Sequence, residues 1–582
     1  MGALPMKRNQ QGNNGSAVAA WCIMLGCLAA AACTPMPPSL SLDIDPVRQG
    51  APIAVHEDDD PHFLILQGEL ELARHHVPAA LKAYHKAALA ADDPVVAQRA
   101  CELAAVSQMP DVGIEMARRW AALAPGQLDP WRFMLIFALD KGDLVQGKEA
   151  LEELLKRPDG AVASLALVGP VAEKAARDPS VLQLFDQLPT ELGSRAEVLY
   201  MRGEAAKAAS LWDQSLIAAR QASRMRPDWP PPRMLLVDVY LATKRLDAAR
   251  AEMAVLLTKA SDTVSLRLLL AQKLLRAGYE REAETALQAV LREDPTQPDA
   301  LYALGLLAID RREWKVATRH LTRLLEVDER RDDAWFYLGV AASGAGKLTE
   351  ALAAFARVGE GERFLTARTQ MARLMIEAGK MDEALRAMQH LREAHPQEAK
   401  AIYLAEAGVL VETGHVDRAL LLLGEALAAY PGDLDLLYSQ GLTLERAGRI
   451  KEAERDLRAI LAKAPQNAQA LNALGYTLVN RTDRYQEGLA LLQRAIALDP
   501  DNPAILDSLG WAYYRLKDYR QAEIHVRRSY EAMSDPEVAM HYGEVLWALG
   551  KEEQALAVWR EAMEKFPDDE TLRAVVERHS RH

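Results

Sequence analysis

One regularity constrains this chain more than any other. From Gly68 onward a small residue recurs about every 34 positions, with the same companions each time. A second small residue follows 12 places later, a large apolar residue often stands 4 places beyond that, and a Pro closes the unit about 24 places after the first. Gly441, Ala453, Leu457 and Pro465 form the clearest set. Gly305 with Ala317 and Leu321, Gly339 with Ala351 and Phe355, and Gly543 with Ala555, Trp559 and Pro567 repeat it. A fixed period of this length predicts stacked helix-turn-helix units. Such a stack offers an extended binding surface rather than a catalytic pocket.

Fifteen beats can be placed, at Gly68, Cys101, Leu135, Gly169, Gly203, Val237, Ala271, Gly305, Gly339, Ala372, Ala407, Gly441, Gly475, Gly510 and Gly543. Leu135 and Val237 are not small, so those slots rest on spacing alone. The stretch from Gly169 to Arg226 is the most degenerate, and Pro227 holds its frame. A chain of 582 residues would usually split into several domains. Here about 15 repeats account for nearly everything after Pro61. Half the residues are hydrophobic, only 6% are aromatic, and long Val-, Ile- and Thr-rich runs are absent. The expected class is all-α.

The first residues are a different object. Lys7 and Arg8 precede an apolar run from Ala17 to Ala32. That pattern predicts a signal peptide over residues 1–32 and is short for a transmembrane span. The run ends in Ala30-Ala31-Ala32-Cys33, followed by Thr34-Pro35-Met36-Pro37-Pro38. Small residues before a Cys, then a Pro-rich stretch, resemble a bacterial lipoprotein signal. The resemblance implies that Cys33 becomes the lipidated first residue, and Thr34 after it implies the outer membrane. The chain departs from that family in having Ala30 where Leu is preferred. Cys27 is the competing site, and an ordinary secretory signal cleaved after an Ala is the other alternative. Cleavage at Cys27 would leave the apolar Leu28–Ala32 run on the mature end, which favours Cys33.

Residues 33–61 read as a tether, with Pro35, Pro37, Pro38, Pro46 and Pro52 and the acidic run Glu57-Asp58-Asp59-Asp60. Cleavage before Cys33 would leave Cys101 as the sole thiol. It occupies a small-residue helix slot, where burial makes it inert. The net charge is −13, and no Lys/Arg cluster is interleaved with aromatics. Nucleic acid is therefore not an expected partner, nor is broad electrostatic binding to anionic lipid headgroups.

The sequence holds no phosphate-loop, His-Glu-x-x-His, Gly-x-Ser-x-Gly or Cys-x-x-Cys motif. Gly359 and Gly361 share a turn without a leading strand. His75, His76 and His85 are near in sequence but share no helix face reliably. His579 and His582 close a polar tail expected to fray. No catalytic residue, metal site or cofactor is expected.

Turns such as Ala277-Gly278-Tyr279, Ala345-Gly346-Lys347 and Ala447-Gly448-Arg449 place Gly where a helix stops in the left-handed conformation. Asp294-Pro295 and Asp499-Pro500 separate one unit from the next. With Leu304-Gly305, Leu338-Gly339, Leu474-Gly475, Leu509-Gly510 and the early Trp335, these features resemble the tetratricopeptide repeat. The resemblance implies a superhelical solenoid of about 15 repeats. It divides the mature chain into degenerate repeats over 62–265 and well-formed repeats over 266–582.

A narrower resemblance lies near the C-terminal end. Asn472-Ala473-Leu474-Gly475-Tyr476, the run Asp499 to Trp511, and Gly543 to Gly550 look like a group of large proteobacterial repeat lipoproteins. That group includes the outer-membrane adaptor of a periplasmic carboxyl-terminal processing protease. The resemblance implies a non-catalytic scaffold facing the periplasm from a lipid anchor. Its partner would be a protein, such a protease in the leading version. A structural scaffold of an exopolysaccharide-secretion or other envelope complex is the alternative.

Helical spacing separates two stripes on the late first helices. Leu471, Leu474, Gly475 and Leu478, then Leu506, Leu509, Gly510 and Tyr513, make a core stripe. The second runs through Tyr438, Leu442 and Glu445; Asn472, Tyr476 and Val479; Asp507, Trp511 and Tyr514; and Met540, Glu544 and Trp547. Asn480 and Arg515 lie beside it. In the tetratricopeptide family the second stripe lines the concave surface. Rings supply contact area at low entropy cost and polar groups fix register. The expected partner groove is therefore Tyr438, Asn472, Tyr476, Asp507, Trp511, Tyr514, Arg515, Glu544 and Trp547. The alternative is that the same rings pack between neighbouring repeats.

Overall fold

The computed structural model describes residues 60–327, 331–567 and 569–579. The leader, Cys33, Cys27, most of the tether and His582 lie outside the described residues. Among the described residues all regular structure is helical, as the composition and period require. The chain divides into two compact units, with one boundary between Asp294 and Pro295. Each is a run of antiparallel helix pairs.

The small slots have a direct physical cause. A side-chain carbon placed on Gly68 would come within 2.5 Å of the Tyr84 ring, on Gly305 within 2.8 Å of Leu321, and on Gly339 within 2.6 Å of Phe355. The same holds for Gly510 against Val526 at 2.2 Å and Gly543 against Trp559 at 2.0 Å. In each case the obstructing residue is the large apolar one 16 places on. Slot and large residue are thus one contact between the two helices of a pair. Where the slot is large, the pair reverses the arrangement. Leu135 is fully buried, and its partner 12 places on, Gly147, provides the space.

The second recurring device is one left-handed residue 7 places after the slot. Gly142, Gly278, Gly346, Gly379, Gly414, Gly448 and Gly550 all have positive φ there. His75, Gln108, Ser210, Lys244, Arg312 and Lys517 take the same conformation without being glycine. A Cβ strains that geometry. Gln108→Gly should therefore stabilise its unit by about 0.5–1 kcal/mol, read as an upward shift of the urea midpoint. First helices start on capping side chains, among them Asp93, Asp262, Asp433, Asn467, Asn502 and Asp535. At the closing turns a cation from the next second helix takes the free carbonyl. Arg157 bonds Pro125 O, Lys259 Pro227 O, Arg323 Pro295 O, Arg494 Pro465 O and Arg528 Pro500 O.

Two places break the rhythm. The slot expected at Gly169 holds no helix pair. Residues 160–193 form four short helices and two 3-10 turns, and a Cβ on Gly169 would meet nothing within 4 Å. Leu167, Val171, Val181, Leu184 and Phe185 still bury their side chains there, so the segment fills core without the repeat's geometry. By contrast, Ala196–Ala208 and Trp212–Met225, inside the stretch read as most degenerate, form a regular pair.

The second break follows Gly339, whose second helix, Leu348–Ala356, is 9 residues long where most others have 14. Arg368 closes its open end. Its guanidinium donates to Phe355 O at 2.8 Å, Ala356 O at 3.3 Å and Val358 O at 3.2 Å. Arg363 enters beside it, paired with Asp333 and lying 4.9 Å from the Tyr337 ring centroid. Arg368→Ala should cost about 2 kcal/mol and raise amide hydrogen exchange over residues 348–358.

Candidate functional site

The late first helices Leu434–Arg446, Ala468–Arg481, Pro503–Arg515 and Pro536–Ala548 carry the second stripe. Each begins at a cap and is fixed at mid-length by its slot glycine, so equivalent positions recur on the same face of each helix. Of the nine expected groove residues, only Asp507 is fully buried; the others are half-buried. Leu442, on the same stripe, is 41% exposed.

The structure brings most of this set together. Trp511 stacks on Tyr514 with centroids 4.6 Å apart and planes 11° from parallel. It also stacks on His541 at 4.0 Å and 18°. Tyr476 lies 6.5 Å from His541 and donates its hydroxyl to Glu537 across 61 residues of sequence. Asn480 donates to the Tyr476 hydroxyl at 3.3 Å. Burial, then the Glu537 charge and hydrogen bond, hold the Tyr476 phenol well above the ordinary tyrosine range. Burial and Glu544 push Tyr514 up to about 12. Both phenols remain neutral donors at any physiological pH.

Several groove residues are committed within the chain. Asp507 was expected to face a partner, but it is 6% exposed and His541 Nδ1 sits 3.0 and 2.9 Å from its two oxygens. That bond commits the carboxyl group inside the stack rather than to a partner. Arg515 turns to the preceding second helix, donating to the Tyr485 hydroxyl at 2.7 Å with its guanidinium 4.6 Å from that ring. Glu544 accepts from Tyr514 at 3.4 Å and lies 3.4 Å from His579 Nε2. Tyr438 packs against the core around Leu457 and Leu474.

Asn472 and Trp511 differ. The Asn472 Oδ1 and Trp511 Nε1 atoms are buried without a hydrogen-bond partner. The expectation of a frayed His579 is corrected. Its ring lies 4.5 Å from Trp547 and 4.9 Å from the fully buried Trp559, because the helix Glu570–His579 docks on the last pair.

Sequence reasoning missed His541 and Glu537. A signal was available, since Asp507 and His541 lie 34 residues apart, one repeat. Two polar residues on near-equivalent inward positions of adjacent units point to each other. Elsewhere His85 bonds Glu115 at 2.9 Å and His76 bonds Glu71 at 3.1 Å. Among the described residues no group of three or more His, Cys, Asp and Glu could hold a metal ion, and no helix is long and apolar enough to cross a membrane. Cys101 is buried, and that burial pushes its thiol up to about 12, an unreactive group at neutral pH.

Tetratricopeptide-repeat profiles match residues 268–317, 302–361, 369–434, 404–468, 438–503 and 481–529. The TPR repeat-containing protein PA4667 of Pseudomonas aeruginosa is 32% identical over 487 residues, covering 84% of this chain and 82% of that one. The chain belongs to the tetratricopeptide-repeat family. Other relatives match at lower identity. Cellulose synthase operon protein C of Pseudomonas fluorescens is 26% identical over 407 residues, 64% of this chain and 31% of that protein. Cellulose synthase 2 operon protein C of Komagataeibacter xylinus is 27% identical over 290 residues, 48% of this chain and 21% of that protein. Among solved structures, Cut9–Hcn1 aligns over 89% of this chain and 98% of its own at 17% identity, with a TM-score of 0.32. At that score the likeness adds nothing to the assignment.

Proposed function

We propose that this tetratricopeptide chain is a non-catalytic scaffold that binds protein partners on the inner stripe of its C-terminal repeats. A lipid on Cys33 would hold it at the periplasmic face of the outer membrane. There it recruits an envelope protease of the carboxyl-terminal processing type, raising local protease concentration and presenting substrates. One observation carries the reading. Four successive first helices place Leu442, Tyr476, Tyr514 and Trp547 on one stripe that is left partly exposed. Large apolar rings left partly in water are common anchors of protein interfaces. The likeness to cellulose synthase operon proteins favours a second reading, a scaffold bridging components of a polysaccharide export assembly.

Affinity capture from envelope extract with mass spectrometry separates the two readings. A co-purifying protease supports the first and export components support the second. Capture of neither sinks both. Tyr476→Ala with Trp511→Ala should weaken partner binding by about 2 kcal/mol or more. Both rings also pack within the chain, so Leu442→Asp, at the exposed point of the stripe, is measured beside it with thermal stability. Unchanged affinity in both variants would move the partner to the convex face or the N-terminal repeats. For the anchor, Cys33→Ser should release the folded protein from membrane fractions. Normal lipid labelling of that variant would shift the site to Cys27 or remove the lipoprotein reading.

A further inference from the structure

The strongest unassigned feature is a buried ion pair at the centre of the aromatic stack. His541 is 1% exposed and Asp507 6% exposed, yet they face each other across two first helices one repeat apart. The indole of Trp511 covers the imidazole at 4.0 Å, nearly parallel. Such a contact is more favourable when the imidazole is charged, because the indole face is electronegative.

We propose that His541 is a protonation latch. Its imidazolium, clamped by Asp507 and stacked on Trp511, ties the Pro503 and Pro536 helices together, and losing the proton as pH rises loosens the last repeats. The latch goes beyond the partner-binding reading and stands or falls without it.

Every neighbouring element contributes to the balance. From the preceding first helix comes Asp507. From its own helix and cap come Glu537 and Asp535. From the Ala468–Arg481 helix comes the neutral Tyr476, bonded to Glu537, with Arg481 paired to Glu445. On the flanking second helices Glu523 is engaged with Lys551, and Glu561 with Lys565 and Tyr530. Arg578 and His579 of the final helix sit on Glu544. The groups nearest His541 are thus carboxylates. Burial by itself would drive the proton off. The Asp507 charge and hydrogen bond, with Glu537 and Asp535 behind, override burial and hold the imidazole above the ordinary histidine range.

The sign follows from linkage. A histidine whose folded pKa is raised stabilises fully below its unfolded pKa, and that contribution is lost as pH rises through the folded one. Deprotonation also leaves Asp507 as a buried charge without its cation, which is costly. The latch is therefore closed below the ordinary histidine value and opens as pH rises through a folded value above 6.5.

Trp511 is a built-in reporter, because a protonated imidazole in contact quenches indole emission more strongly than a neutral one. The experiment titrates full-length protein, taking the emission difference between wild type and W511F from acid to alkaline pH. The expected result is one brightening step with its midpoint above 6.5, the ordinary histidine value. Hydrogen exchange, corrected for its intrinsic pH dependence, should rise over the same interval in residues 503–515 and 536–548. H541Q should remove both transitions. D507N should bring the midpoint down to 6.5 or below, and it carries the test if H541Q does not fold. A step at or below 6.5 in wild type, or a step that survives H541Q or stays in place in D507N, overturns the proposal.

Discussion

Gly543→Ala should destabilise the last helix pair by about 3 kcal/mol, a large effect for one methyl group. A Cβ at this position would stand 2.0 Å from Trp559 Nε1 and 2.2 Å from its Cε2. Trp559 cannot yield, since it is fully buried, donates to Met540 O at 3.3 Å and lies near Trp547 and His579. The helices Pro536–Ala548 and Glu552–Lys565 must then separate along their whole contact. Contacts in a repeat array are nearest-neighbour, so the loss should concentrate at the C-terminal end. Hydrogen exchange over residues 536–579 would rise while residues 61–259 stay unchanged. Gly424→Ala is the control. That exposed helical glycine has nothing within 4 Å of a Cβ, so alanine there should gain up to about 1 kcal/mol. Equal effects at the two sites would mean the slot is not a close approach.

These contacts show why so much of the fold was legible. The slot glycine and the large residue 16 places on are two ends of one contact, so spacing alone exposes the packing. Gly169 failed because a small residue in the right place is not a close approach unless a large one covers it. The left-handed position was read only where Gly fills it. His75, Gln108, Ser210, Lys244, Arg312 and Lys517 accept the same strain, because the pair around them over-determines the turn. The inner stripe was legible as a face but not in its internal bonding. Asp507, Glu544 and Arg515 look like partner contacts in isolation. Their commitments to His541, His579 and Tyr485 span 34, 35 and 30 residues. Such links depend on how neighbouring repeats are set against each other, which a single-repeat pattern does not encode.

A second large effect is expected where the core breaks its own rule. At the position before the slot, where other repeats carry Leu304, Leu338, Leu474 and Leu509, the Ala407 repeat carries Glu406. Its side chain is 3% exposed and is paired with Arg392, 11% exposed. The guanidinium also lies 4.2 Å from the Tyr403 ring centroid. Burial raises the Glu406 carboxyl to about 7, against the opposing charge and hydrogen bond of Arg392. Arg392→Met removes the cation but keeps an apolar stem, leaving the Glu406 carboxyl buried without its partner. The expected cost is about 3 kcal/mol at pH 8. Its pH dependence has a definite sign. An acid whose folded pKa is raised carries no penalty where both states are protonated. The penalty grows from the unfolded value of 4.5 up to the folded one. Without Arg392 the folded value climbs further, so the deficit should shrink towards pH 5 and widen towards pH 8. Arg392→Met with Glu406→Leu restores the side chain the other repeats use. That double variant should return to within about 1 kcal/mol of wild type or exceed it, with the pH dependence gone. Urea midpoints and local hydrogen exchange over residues 381–412 measure both variants. A pH-independent deficit in Arg392→Met would mean that the buried carboxyl is not what the arginine stabilises.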